Sequence, residues 1–419
     1  RRRGNEDEDP MRLRDHLRQF DGNFWRYLGS YSLFWFGVFI FAELYALYMR
    51  ELGYGVVVLG NASVALNLGS IAGTIPAVFL MRRLGLARTT AVSFAGASVA
   101  SAVRLWHDHA LAVYGGAFAA GFFFAVAAVG IAVIVSRLTT PGNRAVGFGW
   151  FFAVSIGAGF LGDAVGGELP GLFARHFGLP QGADAMLVAA LVACAVSLAS
   201  AAPAAGLRFP SVPVQGRAMN IPREPAVARI LIAVCVWNFA VGLFAPFYAV
   251  YFSNWLHEPV SAIGLDLAGG QVVGALFVAF APAVVAARGP VTGARFMMFF
   301  AGACALFLAV AASPLTAGVG YAAYMGFVAM AQVPLQTLLM NRVRTDEQSG
   351  ASMLAALVGF CAVAAGGFVG GELISSFGFG PLLVLAGAMS MLAALVFVVL
   401  VRTDPHEGEG GVAVPAGGA

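Results

Sequence analysis

The chain has 419 residues, of which 60% are hydrophobic and 11% charged, with a formal net charge of +3. A soluble domain carries about 25% charged residues, so this deficit, with a mean hydropathy of +0.83, excludes a large soluble core and points to a polytopic membrane protein. Every strong base is arginine, and no phosphate-binding glycine loop with a lysine and no nucleophile–base spacing occurs; an ATP-driven pump is excluded, and no enzyme, cofactor or nucleic-acid partner is expected.

Residues 1–23 read as an N-terminal tail. Leu13, Leu17 and Phe20 recur at helical spacing among Arg12, Arg14 and Arg18, which fits either a short helix on the membrane surface or a solvated tail. A spanning helix needs about 20 mainly apolar residues. Cutting at charges, prolines and glycine clusters gives twelve: 24–49, 55–80, 89–106, 110–135, 147–168, 185–202, 227–252, 261–286, 295–312, 319–340, 350–373 and 381–401. The proline-rich, basic stretch 203–226 is the natural linker between six-span halves at 24–202 and 227–401. Residues 402–419 have the composition of a disordered tail. With the N-terminus cytoplasmic, only Arg50, Arg104 and Arg175 of the arginines fall near outer ends. That is the positive-inside bias of a twelve-span protein with both termini in the cytoplasm, expected in the plasma membrane. His107 and His109 flank Asp108 in an outer loop; two ligands on a short loop read as solvated side chains, and no metal is expected.

The phrase GDAVGGELP at 162–170 returns as GGFVGGELI at 366–374. Gly162 and Gly366, Gly166 and Gly370, and Glu168 and Glu372 are separated by one constant offset, which also pairs Gly60 with Gly264, Gly85 with Gly289 and Gly116 with Gly320. A single register across both halves reads as two parallel six-helix repeats, and transporters built this way hold substrate near mid-membrane between the halves. Ala158, Gly162 and Gly166 share one helix face, where small residues admit a close neighbour.

Twelve spans, a 6+6 repeat and a basic central loop resemble the major facilitator superfamily. Three local motifs add to the likeness. VFLMRRLGLAR at 78–88 resembles the family loop after span 2, with Arg83 and Gly85 matching, and Val78 and Arg82 in place of the usual Gly and Asp. TPGNRAVGFG at 140–149 resembles the segment after span 4, keeping Arg144 and Gly147. AGFLGDAVGG at 158–167 is similar to the span 5 motif associated with antiporters; Gly162, Gly166 and Gly167 match, while Asp163 stands where the family has Pro. The resemblance implies an all-α membrane fold of twelve helices and a secondary transporter.

An ionisable group inside the bilayer is by default a functional hypothesis. At a rise of ~1.5 Å per residue, Glu43, Asp163 and Asp266 all lie roughly 8–9 Å inside the outer boundary. In the family architecture span 1 lines the cavity and span 5 packs beside span 8, so the three form one expected cluster. Carboxyls brought close cannot all ionise cheaply, which makes each a proton-coupling candidate, against the alternative of a wet vestibule or a pairing with Arg50 or Arg104. Among neutral residues, Trp35, Asn238, Gln271, Gln332 and Gln336 are candidates for the substrate cavity, the amides serving otherwise as interhelical glue. With no base at mid-membrane, a strong anion is not expected. The reading is a secondary active transporter, monomeric, that exports a hydrophobic, amphipathic or cationic small molecule against protons across the lipid bilayer. Symport or facilitated uptake of a small neutral metabolite is the alternative, and a non-transporting receptor or lipid-handling scaffold the second.

Overall fold

The computed structural model describes residues 19–140, 143–180, 182–209, 222, 224–344 and 347–401. The tail segment with Leu13 and Leu17, most of the linker at 203–226, and the C-terminal tail at 402–419 lie outside the described residues.

Every expected span is a helix: α1 Gly22–Glu51, α2 Val56–Leu84, α3 Leu86–Val103, α4 Gly116–Leu138, α5 Arg144–Phe177, α6 Ala183–Ala199, α7 Pro225–Phe244, α8 Val260–Arg288, α9 Pro290–Val310, α10 Pro314–Asn341, α11 Gln348–Phe377 and α12 Phe379–Leu400. Among the described residues, eleven candidate spans are long and apolar enough to cross a membrane on their own. The exception is α3, whose LARTTAVSFAGASVASAV is diluted by Thr and Ser. Three of its hydroxyls donate back to their own helix, Thr90 to the Leu86 carbonyl at 2.9 Å, Ser93 to the Thr89 carbonyl at 2.7 Å and Ser98 to the Phe94 carbonyl at 2.8 Å, which satisfies them without water; the buried Thr89 hydroxyl has no partner among the described residues.

Local chemistry sets the ends. The Asp21 carboxylate accepts from the Phe24 N–H at 2.9 Å and caps α1. Pro225, Pro290 and Pro314 sit in the first turn of α7, α9 and α10, where the missing N–H costs nothing. Gly85 and Gly289 join α2 to α3 and α8 to α9 with φ of 79° and 75°, a region closed to other residues. These two turns are the same turn in the two repeats.

Span 7 departs from the expected continuous helix. It breaks into a 3₁₀ turn at Ala245–Phe247 and resumes at Tyr248–Trp255, because Pro246 lacks the N–H that a continuing ladder needs. Span 5 also runs further than expected, through Pro170 to Phe177.

The repeats pack alike. Helix α1 contacts α5 and α6 as α7 contacts α11 and α12, and α2 lies on α4 as α8 lies on α10. The halves meet along two helix pairs, α2 with α11 and α5 with α8. A Cβ on Gly60 would come 2.6 Å from the Gly367 carbonyl oxygen, and one on Gly264 would come 2.5 Å from the Asp163 carbonyl oxygen and 2.9 Å from Gly167 Cα. Backbone therefore rests on backbone at both seams. These contacts lie in the part of each helix nearest the α1–α2 loop. There the Arg50 side chain also donates to the Ser253 hydroxyl across the halves, and one buried core runs from Leu44 of α1 to Tyr321 of α10. Towards the linker end, Phe79, Phe152 and Phe280 are exposed and a Cβ at Gly149 or Gly157 would meet nothing. The structure is closed at the loop end.

Candidate functional site

Among the described residues a cavity lies on each side of α1, the two sharing Ala42, Ala46, Ala245 and Pro246 as a partition. Helical geometry explains the division: residues 38, 41 and 45 share one face of α1, and 39 and 43 another. The broken turn at Pro246 supplies the opposite wall of both.

The first cavity, about 230 Å³, is acidic. It is lined by Glu43, Asp163 and Gln271 with Tyr248, Tyr321 and Met325. Glu43 is 2% exposed and Asp163 4%. The Gln271 amide donates to Asp163 at 3.3 Å, whereas neither oxygen of Glu43 has a hydrogen-bond partner among the described residues. Glu43 lies against Gly166, where a Cβ would come 2.7 Å from its carboxylate oxygen; any side chain there would displace the acid. Gly162 likewise lets α5 lie against Phe36 and Phe39 of α1, and Gly167 lets it meet Val260 and Gly264 of α8.

The other repeat shows what is special about this corner. The offset that pairs Gly166 with Gly370 pairs Glu43 with Phe247 and Asp163 with Gly367. Gly370 faces Phe247, whose ring would come 2.9 Å from a Cβ at that position. One half thus keeps an aromatic ring and a glycine where the other has two acids. Applying the offset to Glu43 would have found this pair in the sequence.

Asp266 does not join that cluster. It points at Gly318 of α10 and lies beside Glu258 of the loop before α8. The expected three-acid site is therefore a pair plus a separate pair. Equal depth on α8 did not mean equal direction: Gln271, not Asp266, turns toward α5. Glu258 is buried without a donor for either oxygen among the described residues. Burial, then the adjoining Asp266 carboxyl, push it up to about 8.

The second cavity, also about 230 Å³, holds what sequence reasoning missed. Arg104, expected near an outer end, caps α3 and turns inward; it is 8% exposed and lines this cavity with Tyr45, Ser63, Ser101 and Phe124. Its guanidinium carbon lies 4.0 Å from the Tyr45 ring centre and 5.4 Å from that of Phe41. Gly116 makes the path, since a Cβ there would come 2.8 Å from the Arg104 Cγ. Arg104 Nε and the Tyr45 hydroxyl have no hydrogen-bond partner among the described residues. Cation–π contact returns about 0.5–2 kcal/mol, less than the several kcal/mol that burying an unpaired charge costs. Arg104 stays at the end of its span, where the sequence places it, but its side chain turns into the bundle and not toward the outer surface. The signal was present, in that Arg104 breaks the positive-inside pattern.

The remaining candidates are dispersed. Trp35 stacks on Phe124 with ring centres 5.9 Å apart, one layer behind the second cavity. Asn238 donates to the Val234 carbonyl of its own helix at 2.8 Å and faces Gly359. Gln332 and Gln336 are exposed on α10 and line neither cavity. Arg83 is exposed with its guanidinium 5.0 Å over the Phe79 ring. Arg144 opens α5, and its side chain lies outside the description.

Comparisons with known proteins agree with this architecture. Among solved structures, a point mutant of the nucleoside transporter NupG superposes with a TM-score of 0.76 at 11% identity, covering 91% of this chain and 100% of its own. A bacterial homologue of the human lysosomal transporter Spinster, inward-facing and occupied, gives 0.73 at 12% identity, with 92% and 97% covered. A bacterial homologue of the iron transporter ferroportin, inward-facing, gives 0.68 at 14% identity, with 90% and 98% covered. No curated protein matches. The profile of the Major Facilitator Superfamily matches residues 27–367. The chain belongs to that superfamily, and is a multi-pass membrane transporter and not an enzyme.

Proposed function

We propose that the chain is a proton-coupled secondary transporter that works by alternating access and exports a hydrophobic, amphipathic or cationic small molecule. The observation that carries this reading is the Glu43–Asp163 pair, two buried carboxyls on one cavity between the halves, with Glu43 left without a donor among the described residues. Two carboxylates enclosed together cost several kcal/mol, and a proton on one of them removes the charge that the closed site does not pair. With the loop end open the pair takes a proton from the outer side; closing that end carries the proton to the inner side, where substrate displaces it, so protons run inward as the solute runs outward. Protonation thereby biases which end is open, which is what coupling requires.

Two of the similar structures are inward-facing. Closure of this chain at the α1–α2 loop end matches that state if both termini are cytoplasmic in the plasma membrane, as the arginine distribution implies. In this reading one polypeptide suffices, because the cavities lie between its own halves.

The test is proton-gradient-driven transport in proteoliposomes with Glu43→Gln. Driven transport is lost while substrate counterflow survives; unchanged driven transport removes Glu43 from coupling. The sign of proton movement on substrate addition separates export from symport.

A further inference from the structure

The geometry points to the Arg104 cavity as a binding site for the carboxylate of an amphipathic aromatic acid, seated with its head on Arg104 and the Tyr45 hydroxyl and its body against Phe124. The inference rests on the reading of the chain as a transporter, and it names the amphipathic solute as an anion. It does not depend on the direction or the coupling of transport.

Three observations converge. First, Arg104 is more than nine-tenths buried, and its buried Nε has no hydrogen-bond partner among the described residues. A buried guanidinium is a set of donors in a fixed fork that matches a carboxylate. Second, the Tyr45 hydroxyl, four residues from Phe41 on the same face of α1, is also buried without a partner and lines the same cavity. Two unsatisfied groups that converge on one space are satisfied together by one oxyanion. Third, the space is shaped for a body as well as a head. Apart from Arg104, Tyr45, Ser63 and Ser101, its lining is apolar, with Phe41, Phe124, Leu59 and Leu66 around it.

The acids already in the bundle do not fill this role. Glu43 and Asp163 face the first cavity, across α1. Glu258 and Asp266 pair with each other near α10. Asp108 lies 3.1 Å from His107 in the loop. One cation with neutral hydroxyls suits a monoanion better than a phosphate dianion, which calls for a second base. The close approach of Arg104 over Gly116 holds its stem down and aims the head inward.

The experiment uses the full chain in lipid nanodiscs, with binding read by calorimetry. The probes are 2-naphthoate, 2-naphthamide, 2-naphthyl phosphate and 2-naphthylmethylammonium. The expected result is that naphthoate binds at least ten times more tightly than the amide and more tightly than the phosphate or the ammonium. Arg104→Gln abolishes that preference and leaves the weak amide binding as it was. Tyr45→Phe removes a hydroxyl that has no partner, so thermal stability holds or rises, while naphthoate binding weakens several-fold. This second variant keeps the test decisive if Arg104→Gln folds poorly. Equal binding of acid and amide, or an unchanged naphthoate affinity in Tyr45→Phe and Arg104→Gln, overturns the site. Tighter binding of the phosphate or the ammonium overturns the carboxylate assignment. Binding needs no proton gradient, so this result is independent of the Glu43→Gln flux experiment.

Discussion

A single methyl group at Gly264 is expected to pry the protein open. The Cβ of Gly264→Ala would sit 2.5 Å from the Asp163 carbonyl oxygen and 2.9 Å from Gly167 Cα, where ordinary contact begins at 3.4 Å. Both neighbours are backbone, so no side chain can swing aside, and α5 and α8 must part by nearly an ångström. Overpacking of this kind costs about 1–3 kcal/mol. The cost falls only on the state closed at the loop end, because the two glycines separate when that end opens. The closed-to-open equilibrium should therefore shift by a factor of about 5–150. Gly60→Ala strikes the mirror seam, 2.6 Å from the Gly367 carbonyl oxygen. The two seams are distinct, so the double variant should roughly add the free energies. The assay places a cysteine at Ala46, which lines both cavities, in a background without Cys194, Cys235, Cys304 and Cys361. The rate of its modification by an impermeant reagent from the α1–α2 loop side is then measured. Gly264→Ala should raise that rate by the stated factor. Gly157→Ala, whose Cβ would meet nothing, should leave it alone. An unchanged rate in folded Gly264→Ala would show that these seams do not hold the closed state.

Three further outcomes are expected. Asp163→Asn keeps an acceptor for Gln271 but cannot ionise; gradient-driven transport should be lost with thermal stability intact, and full coupling in this variant would make Asp163 structural. Glu258 is pushed up to about 8 from an ordinary value of 4.5, so between those values the folded state holds a proton that the unfolded chain does not. Stability from this group is present below about 4.5 and is lost as pH rises through about 8. Glu258→Gln should flatten that pH dependence of the melting temperature, and a wild-type melting temperature flat from pH 5 to 8 would refute the upward shift of Glu258, to which burial contributes most and Asp266 next. Gly85→Ala meets no atom but must adopt φ 79° and ψ 162°, costing about 1–3 kcal/mol; the melting temperature should fall, and Gly289→Ala should match it.

The sequence by itself determined the helices, their number and their pairing across the repeat. Length and apolarity define a span almost without regard to context, because lipid leaves the backbone no other way to satisfy its polar groups. The constant offset paired Gly60 with Gly264 and Gly85 with Gly289; that the first pair are conditions of close approach and the second of positive φ was decided by the structure. The offset also isolated Asp163 as a residue foreign to the repeat. What the tertiary structure decided is direction around each helix. Depth could be counted from a span end, and it placed Glu43, Asp163 and Asp266 at one level. Their azimuth could not be read, because lipid-facing and buried faces are equally apolar and the usual amphipathic stripe is missing. For that reason Asp266 turned to Glu258 while Gln271 turned to Asp163, and Arg104, one residue beyond the end of α3, pointed into the bundle over a glycine of α4. The break at Pro246 belongs with these: a proline in a span is visible in the sequence, but only packing against α1 made its turn the shared wall of an acidic cavity and a basic one.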